Sequence, residues 1–362
     1  MNLLNPVGRM IPLYKPYMPL ELPELDEILH SGALSYGRWG KKFEKLLAGY
    51  VGNQNIITTN TYPSAIQIAL TALGLKSGDE VIASPMSCMA SNMPLVTFGL
   101  RVKWCDVDPD TGTLSPDALK HAIGTETKLI FHNHYCGYVG YVDEVNQIAH
   151  EHGIPVIDDC VEAFGSEYKG AKTGNLGTDV SIFSFQTVRL PNTIDGGAIA
   201  FRDAAILERA KIARDLGINR ANFRDSRNEI SPLCDISTLG YAGTMSDVNS
   251  YIGSLQVKEL PYLLEKQRGN AAKWNEWFKV NLPLAHTLND RKEVLPNYWV
   301  YGFLTDDKQD VLDNLRAKGF YASGVHLNNN CYSVFGKKCY LPGVTDFYNK
   351  FLAVPCGWWT EI

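Results

Sequence analysis

No apolar run in this chain is long enough to cross a bilayer. The longest, such as Val354 to Trp359, fall far short of the roughly 20 residues a spanning helix needs. There is no basic excess either: a net charge of -5 leaves no footprint for nucleic acid. Met1 to Met10 lacks a cationic segment followed by an apolar one, so no secretory leader is expected. The 8 cysteines include no CxxC pair, and Cys105 and Cys160 sit in apolar runs. Reduced, buried thiols in a cytoplasmic protein are the expectation, with neither disulfides nor a zinc site. Internal repeats and low-complexity tracts are absent as well. What remains is a composition of 45% hydrophobic and 20% charged residues, ordinary for a soluble enzyme. Its 362 residues suffice for a large core and two domains.

Helix and strand signals alternate through the first two thirds. Ala65, Ile68, Ala69, Ala72 and Leu73 follow helical spacing, closed by Gly74 and Gly78. Short buried strands are predicted at Glu80–Ser84, Arg101–Asp106, Lys128–His132, Pro155–Asp159 and Val180–Phe185. Helices are predicted between them at Ser115–Ile123 and Asp143–His152. This βαβ spacing predicts a mostly parallel sheet covered on both faces, with ligands bound beyond the carboxyl ends of its strands. After Gly240 the pattern changes. Ser246–Asn281 reads as a long helical connector interrupted at Pro261, then Tyr298–Leu304 as a strand, Asp310–Lys318 as a helix and Tyr321–Leu327 as another strand. A large α/β domain over 1–261 and a smaller α+β domain over 262–362 are expected. Thr360-Glu361 reads as the opening of a further helix, cut short.

Two stretches carry the chemistry. Val156-Ile157-Asp158-Asp159-Cys160 ends a strand in carboxylates, and Phe183-Ser184-Phe185-Gln186-Thr187-Val188-Arg189 places a hydroxyl and a cation at a later tip. An acid there can keep a pyridinium nitrogen charged, and a hydroxyl can hold a phosphate. Asp159 alone reads equally as a cap for the next turn. Thr59-Asn60-Thr61-Tyr62-Pro63-Ser64-Ala65 runs straight into a helix, where amides and hydroxyls form an anion site, or Thr61 and Ser64 simply cap. Pro63 brings no amide donor. His326, with Asn328 and Asn329, lies in a loop of the second domain and is either a substrate contact or plain surface. His134 has only His132 nearby in sequence, so no metal is expected. Trp358-Trp359 reads as core.

In this order these stretches are similar to the pyridoxal-phosphate sugar aminotransferases of the DegT/DnrJ/EryC1/StrS family, within the fold-type I superfamily. The resemblance spans Ile11 to Trp359. Its matching segments are Ser31-Gly32-Ala33-Leu34-Ser35-Tyr36-Gly37, Leu73-Gly74-Leu75-Lys76-Ser77-Gly78-Asp79-Glu80-Val81, His134-Tyr135-Cys136-Gly137, Asp158-Asp159-Cys160-Val161-Glu162-Ala163, Phe183-Ser184-Phe185 with Asp195-Gly196-Gly197, and Met245-Ser246-Asp247. It implies pyridoxal 5'-phosphate or pyridoxamine 5'-phosphate as cofactor, bound by the large domain. Asp159 would pair with the ring nitrogen, Glu162 would lie near the phenolic oxygen, and Ser184 would bind the phosphate with help from Thr61, Tyr62 and Ser64. Met89 would stand where many members stack an aromatic ring. A nucleotide-linked keto-deoxysugar as acceptor, glutamate as donor and a homodimer are implied too.

The resemblance fails at one decisive position. The family's Schiff-base lysine lies five residues after the serine, and here that residue is Arg189. A guanidinium stays protonated, so it neither forms a Schiff base nor shuttles a proton. No lysine lies between Lys172 and Lys211 to replace it. Pro63 replaces a phosphate-binding residue, and Ala242-Gly243-Thr244 replaces a segment that often reaches across the dimer. Three functions follow: a lysine-replaced sugar aminotransferase, inactive or trapped; a lysine-free sugar dehydratase using the pyridoxamine form; or a non-catalytic nucleotide-sugar-binding homologue.

Overall fold

The computed structural model describes residues 10–288 and 290–362. Its central sheet holds seven strands: β1 (Ile56–Thr59), β2 (Glu80–Ala83), β3 (Arg101–Trp104), β4 (Thr127–Asn133), β5 (Val156–Asp159), β6 (Val180–Ser184) and β7 (Gly197–Phe201). They lie in the order β1-β7-β6-β5-β4-β2-β3, and only β7 runs against the rest. Every residue of β1, β5, β6 and β7 is buried, as strands sandwiched between two helical layers must be. The expected α/β fold with a mostly parallel sheet is the observed one. All the parallel strands deliver their last residues to one edge, so Thr59, Ala83, Asn133, Asp159 and Ser184 end on the same side of the molecule.

The helix Tyr62–Ala72 follows β1 directly. Ala65, Ile66, Ile68, Ala69, Leu70 and Ala72 are all buried, so it is a core helix rather than an amphipathic surface one. Another helix, Arg38–Val51, packs along the first part of the 35-residue helix Asp247–Asn281. Asp247 joins them. Its carboxylate accepts from the amides of Gly37 at 2.8 Å, Gly40 at 2.9 Å and Trp39 at 3.2 Å, and so satisfies the open N-terminal turn of Arg38–Val51. Two separated sequence motifs, Ser35-Tyr36-Gly37 and Met245-Ser246-Asp247, thus form one clamp.

Beyond the central sheet, β8 (His286–Thr287), β9 (Tyr301–Leu304) and β10 (Phe351–Val354) make a small antiparallel sheet. The second half of Asp247–Asn281 covers it through Ala271, Trp274 and Phe278. Pro261 does not interrupt that helix, because Val257, Leu260, Leu263 and Leu264 are buried and hold it on both sides of the missing amide donor. The strand expected at Tyr321–Leu327 does not form. Only Ser323 bridges to Ala353, since Val325 takes a left-handed conformation (φ 56°) that ends an extended run. β1 and β7, with the helix Ala204–Arg214, went unread in the sequence. Among the described residues no helix is long and apolar enough to cross a membrane.

Replacing Asp247 by alanine leaves three amides at a helix N-terminus without their acceptor. The expected outcome is a loss of about 1–3 kcal/mol in urea unfolding with an unchanged m-value.

Candidate functional site

β5 lies between β4 and β6, and its register sets the site: His132 faces Asp158, and Asn133 faces Asp159. Alternation along the strand sends the two adjacent carboxylates to opposite sides of the sheet. Asp158 turns into a buried polar cluster. His132 Nδ1 lies 3.0 Å and His134 Nε2 3.6 Å from its oxygens, and Thr178 donates to it at 2.7 Å. Burial pushes this carboxyl up, but His134 and His132 outweigh it and the group rests below its ordinary value. The sequence had shown only His132 and His134 together; strand pairing adds the acid. The Gly140 amide donates to His134 Nδ1 at 3.1 Å, tying the cluster to the neighbouring loop.

Asp159 turns the other way and is fully partnered by its own chain. Oδ1 accepts the Tyr62 phenol at 2.5 Å and the Val161 amide at 3.1 Å, while Oδ2 accepts the Ser87 hydroxyl at 3.3 Å. Burial drives the Asp159 carboxyl above its ordinary value, against the pull of the Tyr62 and Ser91 hydroxyls. Burial likewise raises the Tyr62 phenol, with the charge of Asp159 adding to it, so Tyr62 stays a donor. Thr61 caps the helix by accepting from the Ser64 amide, and the two hydroxyls lie 2.8 Å apart.

The third buried acid is Glu162, in the turn after β5. Its Oε1 lies 2.8 Å from His326 Nε2 and 3.5 Å from the nearest guanidinium nitrogen of Arg189, and Oε2 accepts the Cys136 amide at 2.7 Å. Burial pushes Glu162 up, but His326, Arg189 and that amide pull it below the usual glutamate value. The Arg189 guanidinium carbon lies over the Trp299 ring, 4.3 Å from its centroid, and Tyr14 stacks on Trp299 at 4.6 Å. Two of the guanidinium nitrogens of Arg189, Nε and Nη1, are buried without a hydrogen-bond partner. Asn297 latches this corner: its side-chain amide donates to the carbonyls of Glu162 and Phe164, and its own amide donates to Ser166. Gly137 gives way to it, since a Cβ there would come within 2.1 Å of Asn297 Oδ1.

The structure therefore brings Arg189, Glu162, Ser184 and His326 to one corner and places Asp159, Tyr62, Thr61 and Ser64 in an adjoining one. Asn329 reaches the loop after β2, donating to the Ser87 carbonyl at 3.1 Å, whereas Asn328 bonds Asn330 within its own loop. Met89 opens the helix Met89–Thr97 and is half-buried. Sequence reasoning missed Trp299, Asn297 and Ser87. Asn297 falls beside the predicted strand Tyr298–Leu304 and Trp299 within it, where no periodicity marks a pocket wall. The void lined by Glu162, Ser184, Arg189, Gln267, Asn297 and Trp299 measures about 10 Å³, near the least that holds one water. Asp159 is not on its wall. As they stand, these residues do not fit a phosphopyridine ring.

Glu162→Gln removes the charge that faces Arg189 and His326 in a buried setting, an expected loss of about 3–5 kcal/mol. Because Glu162 is held below its ordinary value, its stabilisation is complete above that value and disappears as pH falls through the lowered one. The gap between parent and variant in thermal unfolding should close at acid pH.

The family model described as the DegT/DnrJ/EryC1/StrS aminotransferase family matches residues 19–357. The chain is 28% identical over 348 residues to the UDP-4-amino-4,6-dideoxy-N-acetyl-beta-L-altrosamine transaminase of Campylobacter jejuni, covering 93% of this chain and 89% of that protein. It superposes on the sugar aminotransferase CalS13 of Micromonospora echinospora with a TM-score of 0.90 at 25% identity, over 97% and 96% of the two chains. It shares its fold, at 21% identity and TM-scores of 0.86 and 0.87, with the Streptococcus pneumoniae protein Spr1654 solved in PLP and PMP forms; each match covers 97% of this chain and 95% of that one. By sequence and by architecture, this chain belongs to the DegT/DnrJ/EryC1/StrS aminotransferase family.

Proposed function

We propose that this chain is a lysine-replaced sugar aminotransferase homologue that recognises a nucleotide-linked sugar without completing amine transfer. The observation that carries the reading is Arg189. It stands where the family's amine is expected, beside Ser184, with its buried Nε lacking a hydrogen-bond partner and Nη1 facing only Glu162, at 3.5 Å. A guanidinium whose Nε has no hydrogen-bond partner suits a phosphate or carboxylate oxygen, and it has no nucleophilic lone pair to offer. The Campylobacter relative is named for a UDP-linked amino sugar, which supports the ligand class.

A second reading keeps the full activity: a pyridoxal-phosphate enzyme moving an amine from glutamate to a keto-deoxysugar. The retained Asp159 and Ser184 at neighbouring strand tips favour it, as do the PLP and PMP forms of a protein of the same fold. One experiment separates the two. Purified chain is incubated with pyridoxal phosphate, glutamate and a UDP-4-keto-6-deoxysugar while amino sugar and 2-oxoglutarate are followed, and UDP-sugar binding is measured by calorimetry. Binding without transfer is expected; turnover would establish the second reading instead. Arg189→Met should weaken UDP-sugar binding by about tenfold or more, in line with the loss of a charged hydrogen bond.

A homodimer in the cytoplasm completes the proposal. The irregular segment 216–240 exposes Ile230, Leu233, Ile236 and Leu239, an apolar stretch suited to a second copy. All eight cysteines are unpaired, as a reducing compartment allows. Leu233→Asp combined with Leu239→Asp is expected to shift the mass in light scattering from dimer to monomer.

A further inference from the structure

Asp159 should face a ring nitrogen in a working cofactor site, but its near oxygen is already taken. The donor is Tyr62, at 2.5 Å, with Ser91 3.0 Å from the same phenol. Tyr62 is 2% exposed and is the first residue of the helix Tyr62–Ala72. Its backbone therefore sits between Thr61 and Ser64, the hydroxyls expected to hold the cofactor's phosphate, while its hydroxyl ends on the acid expected to hold the opposite end. One aromatic side chain runs from the phosphate end of the seat to the nitrogen end. The other groups are settled in the same way: Thr61 and Ser64 bond each other, and the second oxygen of Asp159 accepts Ser87. Alongside Ser184 and Arg189 only about 10 Å³ stays open.

We propose that Tyr62 is a resident substitute for the cofactor ring, and that the chain holds neither the aldehyde nor the amine form of the vitamin-B6 cofactor. The phenol supplies Asp159 with the donor a pyridinium would have supplied, so the buried acid keeps its partner. The ring fills the volume the pyridine would have filled. What Asp159, Thr61 and Ser64 would otherwise hold rests on the family reading given above. The nucleotide-sugar part of that reading is independent, because Arg189 and His326 lie in the adjoining corner.

The test is equilibrium dialysis of the full chain against pyridoxal phosphate and pyridoxamine phosphate, with circular dichroism as a check on folding. The parent should retain no stoichiometric cofactor. Tyr62→Phe should behave like the parent, because it keeps the ring and loses only the hydroxyl. Tyr62→Ala should tighten pyridoxal-phosphate binding by about tenfold or more. Should the alanine variant fail to fold, Tyr62→Leu, which keeps apolar packing but frees the far end of the seat, is read in its place. Stoichiometric cofactor in the parent would overturn the proposal. So would a folded small-residue variant that binds no better than the parent. UDP-sugar binding, measured on the same samples, reports separately on the function proposed above: its absence would remove that reading and leave the Tyr62 result standing.

Discussion

A carboxylate taken out of water has to be given donors, and this constraint organises the carboxyl edge of the central sheet. Asp158, Asp159 and Glu162 are all buried within five residues of chain, and each is answered differently. Two histidines and a threonine answer Asp158, two hydroxyls and an amide answer Asp159, and a cation, an imidazole and an amide answer Glu162. The donors come from β4, from the helix after β1, from the loop after β2 and from the second, smaller sheet's region. Fixing three acids therefore fixes how most of the molecule is assembled around β5.

The pairing of Arg189 with Glu162 sets the electrostatics of one corner of the candidate site. Arginine brings a permanent charge into a wall only a tenth exposed, and Glu162 balances that charge at 3.5 Å while the Trp299 ring lies under the guanidinium carbon. Lysine would carry its charge on a single atom and could lose it; arginine cannot, so the corner is committed to electrostatics. On the proposed reading, anion recognition and loss of covalent chemistry both follow from one side chain.

Much of this was legible in the sequence. The helical spacing from Ala65, the short strands and the carboxylate pair at 158–159 placed β2 to β6 and their tips, because buried parallel strands announce themselves as apolar runs closed by polar residues; β3 was expected to be buried too, but it forms the edge of the sheet and its residues are exposed or half-buried. β7 was harder: Gly197 to Phe201 is an apolar run of small residues, and its antiparallel direction comes from pairing partners that no local pattern encodes. The Tyr321–Leu327 prediction failed because a β-branched residue took a left-handed turn that propensity disfavours. The site was half visible. Residue types gave Asp159 and Ser184, and the family resemblance gave Glu162, but whether Tyr62 pointed toward the acid or away from it depended on the helix axis. Trp299 and Asn297 belong to the far part of the chain and meet the site only by folding.

Asn297 carries the constraint on Glu162 to a distant part of the chain. Its side chain and backbone hold the turn that carries Glu162, and Gln267 holds Asn297 in turn by donating to its carbonyl at 2.7 Å. These are buried amide bonds, and losing any partner would leave polar groups unsatisfied in the interior. The acid that balances Arg189 is therefore held in place by residues far along the chain, and a change at Gln267 or Asn297 would be felt at Glu162 without touching it.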